Sequence, residues 1–378
     1  MVVCAAVLTP DAAGKDCLIC FRSTDSGVTW SEPAQVAPSL FKPASVTSLG
    51  GTGEFECYSG TLNTLPDGRL LLTWTYNGIG LPAEQVAKAV APKGGGVGGG
   101  HPGGGDHGAF IYALSDDGGL SWGEPAEVSD PGGPQEGFLG TSRHGVLAWP
   151  DGRWLVCPRD PPDDDVSWGP KLLDPGNNTL EPLPGLSKGL PGAHPSVQWS
   201  FHQIVRTKGG GLLAMGGRPA ICDETGGPNG GPSRYYKDGE PTTTVVLHCA
   251  SGNPTSGDSW DIVENFPAGF VPPPGAHPTE WDGDGDRMGR HLTALTDGRV
   301  VLSWGQAHNP NGIWYNVSED GVVWDPSVTV RVLPSVPVMG RYQGMRTAQV
   351  DADTLATVCL SADGGVFVVR TPLAMITK

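Results

Sequence analysis

Hydrophobic residues along this chain come in short runs closed by tight turns. One phrase recurs: LPDGRLLLTW at 65–74, WPDGRWLVCP at 149–158 and LTDGRVVLSW at 295–304, with weaker copies TKGGGLLAMG at 207–216 and VDADTLATVC at 350–359. Asp-Gly between apolar segments is a strong hairpin signal, because the turn needs positive φ. Each copy predicts two antiparallel strands, A and B. A second phrase follows: Ser23-Thr-Asp25-Ser-Gly27-Val-Thr-Trp30, Ser115-Asp-Asp117-Gly-Gly119-Leu-Ser-Trp122 and the contracted Ser318-Glu-Asp320-Gly321-Val-Val-Trp324, with degraded copies ending at Trp168 and Trp260. There an Asp caps a turn, a Gly takes the unusual backbone angle and a Trp packs on the following strand. An apolar strand C precedes this turn (CLICFRS, AFIYALS, IWYNVS), and segments such as SEPAQV and GEPAEV supply strand D.

Five hairpins and an N-terminal part-unit make six units of about 63 residues in the 378-residue chain. Four strands per unit predict an all-β fold, a six-bladed β-propeller of four-stranded antiparallel blades built as a single domain over residues 1–378. The first blade is expected to be incomplete. VVCAAVLT (2–9) reads as strand B and CLICFRS (17–23) as strand C, so strand A comes from the C-terminal segment or lies beyond a truncated N-terminus. APKGGGVGGGHPGGGDHG (91–108) reads as a Gly-rich loop insertion between strands B and C of the second unit. It is not a phosphate loop, having no Gly-Lys-Ser/Thr and no following helix.

Composition agrees. With 58 glycines and 36 prolines, long helices are disfavoured, while twelve tryptophans demand a packed interior. A net charge of −16 makes nucleic acid and anionic membrane surfaces poor partners. No apolar run approaches the roughly 20 residues of a membrane span. Cys17-x-x-Cys20 has no second such pair, so the eight cysteines read as ordinary thiols rather than zinc ligands. MVVCAAVLTPD lacks the basic segment of a signal peptide and leaves the compartment open.

The SxDxGxTW turns of Ser23–Trp30 and its relatives resemble the Asp-box, or BNR repeat, of the sialidase (neuraminidase) superfamily, and the resemblance covers nearly the whole chain. Asp-boxes are structural, so catalysis has to be sought in the loops at the central face. What the resemblance implies is a retaining exo-glycosidase without metal or organic cofactor. Three arginines grip the substrate carboxylate, a tyrosine activated by a glutamate is the nucleophile, and an aspartic acid is the acid/base. Three guanidiniums suit a carboxylate, and a neutral phenol suits an anomeric centre that already bears an anion.

Carried onto this chain, the acid/base falls on Asp11, with Asp16 second. Arg218, at the end of the fourth unit's strand B, takes the place of one arginine. Tyr342, about nine residues before Asp351, takes that of the nucleophile, with Arg341 and Arg346 beside it as anion ligands. The chain also departs from the pattern. Gln198-Trp-Ser-Phe-His-Gln203 offers no glutamate ahead of the fourth unit, and His308–Asn316 offers no arginine in the fifth. Substitutes are Glu280, with Arg287 and Arg290, in the loop leading into the fifth unit. His202 and His291 read as strand residues. Asp282, Asp284 and Asp286 alternate like calcium ligands but without an EF-hand's spacing.

Two functions follow. One is an exo-sialidase-like enzyme that removes a terminal acidic sugar from a glycoconjugate, expected as a monomer. The other is a non-catalytic Asp-box propeller that binds glycan or protein. A glycosidase of different specificity would need a new carboxylate pair, for which Glu56, Glu136 and Glu280 are the candidates.

Overall fold

The computed structural model describes residues 3–10, 16–37, 54–79, 108–128, 146–156, 171–183, 200–217, 222–223, 233–234, 244–254, 259–263, 291–306, 312–332, 346–360 and 366–377. They fall in two compact units, one of residues 2–24 and 28–187, the other of residues 188–378 with Met1 and Asp25–Gly27.

The first unit contains three antiparallel sheets. β1 (Val3–Pro10), β2 (Asp16–Ser23) and β3 (Ala34–Ala37) form a three-stranded sheet. β4 (Glu54–Thr64), β5 (Leu70–Ile79), β6 (Gly108–Ser115) and β7 (Ala126–Val128) pair in chain order. So do β8 (Leu147–Ala148), β9 (Trp154–Val156), β10 (Lys171–Asp174) and β11 (Thr179–Pro182).

In the second unit β12 (Ser200–Arg206) and β13 (Leu212–Gly217) are followed by a two-stranded ribbon, β14 (Cys222–Asp223) with β15 (Ser233–Arg234). The first sheet is then completed by β16 (Thr244–Cys249) and β17 (Asp261–Ile262). The next is β18 (His291–Ala294), β19 (Val300–Gln306), β20 (Gly312–Ser318) and β21 (Val330–Val332). The last, β22 (Arg346–Asp351), β23 (Thr354–Leu360) and β24 (Val366–Pro372), leads into α1 (Leu373–Ile376).

These are the four-stranded antiparallel blades of an all-β propeller, each strand paired with the next in its own sheet, and the β14–β15 ribbon intervening between β13 and β16. Four sheets have all four strands; the first and last have three among the described residues. Six blades, the first of them incomplete, are the expectation from the repeat; the described residues show fewer than six four-stranded blades. The first sheet holds three strands, β1, β2 and β3, among the described residues.

All five predicted hairpins form. In three of them one Asp-Gly-Arg device repeats. Gly68 takes φ +90°, and its N–H donates to Leu65 O at 2.9 Å. The Arg69 guanidinium turns back to Asp67 with Nε 2.8 Å from Oδ2. Asp151 with Arg153 and Asp297 with Arg299 repeat the arrangement. The second phrase also makes the turn it predicts. Asp117 Oδ1 accepts the N–H groups of Leu120 and Ser121, both at 2.9 Å, and Ser115 Oγ accepts that of Gly119 at 2.8 Å. Asp320 does the same for Val322 and Val323, and the buried Trp324 closes that turn by donating Nε1–H to Gly321 O at 2.7 Å.

The third sheet corrects one expectation. Its C–D connection is the short turn Pro175–Asn178, with Asn178 at φ +54° and the Gly176 N–H held by Asp174 Oδ1. Trp168 precedes β10 and so does not end that turn.

Strand B of a blade is buried on both faces, which is why it reads as a continuous apolar run instead of an alternation. Leu71, Leu72, Thr73 and Trp74 are all fully buried. Leu72 and Trp74 pack with Leu18, Cys20 and Val36 of the preceding sheet, while Leu71 packs with Trp154, Val156 and Leu173 of the following one. Leu213, Met215, Val301, Leu302, Trp304 and Leu355 share the core of the second unit.

Candidate functional site

In the second unit β12, β18 and β22 are the first strands of their sheets and lie side by side. Gln203 reaches Leu292, Thr293 Oγ1 donates to Thr347 O at 2.9 Å, and Thr296 N–H donates to Gln349 Oε1 at 2.7 Å. The A–B hairpins close one end of these strands. At the opposite end sit the strands' first residues together with the last residues of β13, β19 and β23.

Arg346 is the first residue of β22, paired across to Val358 and partly buried. Its neighbour Thr347 N lies 3.5 Å from His291 Nδ1, at the start of β18. The His291 ring is enclosed between strands, with Gln203 Nε2 3.1 Å from its Nε2 and Thr293 Oγ1 3.3 Å from its Nδ1. Burial, and then the positive charge of Arg346, depress its pKa to about 3. His291 is therefore a neutral strand residue, as the sequence suggested.

Below it runs a buried hydroxyl chain between the last two sheets. Ser303 Oγ meets Thr347 Oγ1 at 2.6 Å, Thr347 meets Thr357 at 2.9 Å, and Tyr315 OH bridges Thr357 at 2.8 Å and Thr371 at 3.2 Å. Burial raises the Tyr315 pKa, so the phenol stays protonated. The same end of the middle sheet carries an aromatic pair. Trp304 and Trp314 face each other across β19 and β20 with centroids 6.2 Å apart and planes at 8°, and Arg331 covers Trp314 at 5.7 Å. This pair and the hydroxyl chain were not anticipated from sequence. Only the aromatic pair left a signal, two tryptophans flanking a B–C connection.

Of the predicted site residues, Arg346 is placed within the strands. Asp11, Arg218, Glu280, Arg290, Arg341 and Tyr342 lie outside the described residues. Arg218 follows the last residue of β13, Arg290 precedes the first residue of β18, and Tyr342 stands four residues before β22. Asp11 follows Pro10, the last residue of β1, which pairs with Asp16 of β2. Glu136, Arg287 and the Asp282–Asp286 segment also lie outside; Asp16 and Glu56 belong to β2 and β4. Cys20, Cys249 and Cys359 are buried thiols, and burial raises Cys359 to about 12. Among the described residues no group of three or more His, Cys, Asp or Glu is placed to hold a metal, and no helix is long and apolar enough to cross a membrane.

No family model matches the sequence, and no curated protein matches it. Solved structures do match. The intramolecular trans-sialidase from Ruminococcus gnavus is similar at a TM-score of 0.56 and 14% identity, over 100% of this chain and 93% of that one. The fold is that of sialidases and related propeller glycosidases. The GH93 alpha-L-arabinofuranosidase of Fusarium graminearum is similar at 0.57 and 12% identity, over 99% and 91%. A Dyadobacter fermentans protein of unknown function is similar at 0.56 and 15%, over 96% and 84%. At these identities the likeness is one of fold.

Proposed function

We propose that the chain is a propeller glycoside hydrolase of the exo type, removing a terminal sialic-acid-type sugar from a glycoconjugate. Its fold would be one six-bladed domain over residues 1–378, with Asp-box turns between strands C and D. The observation that carries this reading is the position of Arg346 at the open end of β22, the end from which the chain also leads to Arg218, Arg290, Arg341 and Tyr342. Arg346, Arg341, Arg218 and Arg290 bind the sugar carboxylate. Their charge is permanent, and a planar fork matches two oxygens. Tyr342 attacks the anomeric carbon, Glu280 takes its proton, and Asp11 protonates the leaving oxygen and later activates water. No metal or organic cofactor has a step in this scheme.

The second reading is a non-catalytic propeller that binds glycan or protein. β12, where the resemblance called for a glutamate nearby, carries Gln203 instead, and both ends of its amide are engaged with β18.

Hydrolysis of a fluorogenic α-sialoside across pH 4–8 separates the two. The enzyme reading expects turnover that falls by about 100-fold or more in Tyr342→Phe and in Asp11→Asn. Absence of turnover, with glycan binding retained, establishes the binding propeller.

A further inference from the structure

The side chain of Gln203, 3% exposed, behaves like a residue of a neighbouring strand. Its Oε1 accepts the Leu292 N–H at 2.7 Å while its Nε2 donates to the Leu292 carbonyl at 2.5 Å. That reciprocal pair fixes the amide. A flipped one would set donor against donor and acceptor against acceptor. The second Nε2 hydrogen is left facing His291 Nε2, 3.1 Å away.

An amide NH2 only donates, so His291 Nε2 accepts and the ring proton sits on Nδ1. Nδ1–H in turn faces Thr293 Oγ1 at 3.3 Å, and that hydroxyl gives its own hydrogen to Thr347 O at 2.9 Å. The Thr347 N–H, 3.5 Å from Nδ1, would need a lone pair there. The shorter contact to the orientation-fixed Gln203 decides against it.

Other groups press the same way. Ser303 Oγ donates to the His291 carbonyl at 3.4 Å, and among the described residues the charge acting on the ring is that of Arg346. Protonating the imidazole would enclose a second cation beside that guanidinium. It would also aim an Nε2–H at the Gln203 N–H.

We infer that Gln203 and Thr293 are positioning residues that hold His291 as a neutral Nδ1–H imidazole, so that it serves Arg346 as an uncharged neighbour and takes no part in anion binding or proton transfer. The inference rests on the proposed role of Arg346 as a carboxylate ligand. Its consequence is specific: at the mildly acid pH where a titrating histidine would begin to attract anions, this one adds nothing, and carboxylate affinity is left to permanent charge.

The first test is NMR of the full chain labelled in histidine with ¹⁵N and ¹³C, the His291 signals being assigned by their loss in His291→Gln. The expected wild-type ring carries hydrogen on Nδ1, a lone pair on Nε2, and shows no titration between pH 8 and 4.5. In Gln203→Glu a carboxylate replaces the donor, and the same ring titrates within that range. A wild-type Nε2–H tautomer, or titration near 6.5, overturns the inference whether or not the protein is an enzyme, and the wild-type spectrum decides even if the variant does not fold. The second test reads the same substitution in sialoside hydrolysis. The KM of Gln203→Glu rises several-fold between pH 5 and 7.5 relative to wild type, with kcat within twofold. Hydrolysis with no pH-dependent difference in KM overturns the link to Arg346. Absence of all hydrolysis sinks the enzyme reading and leaves the NMR result standing.

Discussion

At the residue scale, glycines with the same backbone angle do different work. Gly68 lies in an open hairpin turn at φ +90°, with nothing within 4 Å of where a Cβ would stand. Gly321 has φ +80° in the C–D turn of the fifth sheet, and there a Cβ would meet Leu213 Cδ1 of the adjacent sheet and Val300 Cγ2. Gly68→Ala therefore adds only the cost of a left-handed backbone, about 1–2 kcal/mol. Gly321→Ala adds overpacking, for about 3–4 kcal/mol in all. Urea unfolding midpoints would rank them, and equal costs would refute the packing argument. The sequence made both turns legible through Asp-Gly and the Asp/Gly/Trp spacing. It could not show that one glycine faces solvent and the other a neighbouring blade, because that depends on residues about a hundred positions away.

At the element scale, the five hairpins were legible because each is local: apolar run, turn, apolar run. What joins one sheet to the next was not. Ser303, Thr347, Thr357 and Thr371 look like ordinary polar strand positions that would face water, yet all four are buried, at 3% exposure or less, in one hydroxyl chain with Tyr315. The third sheet shows the same limit. The degraded copy of the phrase that ends at Trp168 is not its C–D turn; Asn178 in a left-handed conformation makes a local turn of four residues instead.

The hydroxyl chain is testable as a unit. Thr357→Val keeps the shape but strips a partner from both Thr347 and Tyr315, and should cost about 1–3 kcal/mol. Tyr315→Phe should cost about as much. Once either hydroxyl is gone the other has less to lose, so the double variant should be about 1 kcal/mol more stable than the sum of the single effects. Strict additivity would mean that the two hydroxyls act independently.

At the scale of the whole molecule, the resemblance directed the search to loops at the central face, and of the residues carried over from it Arg346 is the one that falls among the described residues, as the first residue of β22. The residues that lock the strands there, Gln203 and Thr293, do so through contacts between blades, which no local pattern announces. The same architecture sets how the fold responds to acid. His291 has a folded pKa of about 3 against an ordinary value of 6.5. The unfolded chain therefore binds its proton first, and the stability that the neutral ring contributes is present above pH 6.5 and lost as pH falls toward 3. The turn carboxylates follow a lower window. Hydrogen bonds to Ser121 hold Asp117 well below the usual carboxylate range, and those to Arg299 lower Asp297 as well. Their contribution is present above about pH 4 and disappears below it. Acid should thus weaken the fold in two stages, the upper one belonging to the strand ends at the candidate site. Between about pH 6 and 3.5, wild type should lose stability faster than His291→Gln by about 1.4 kcal/mol per pH unit, the slope of one proton. Below pH 3 the two curves should run parallel. Urea midpoints collected across pH 3–8 give the difference directly. Parallel curves throughout would mean that His291 takes up its proton equally in the folded and unfolded chains, which an imidazole buried against Gln203 and exposed to the charge of Arg346 should not do.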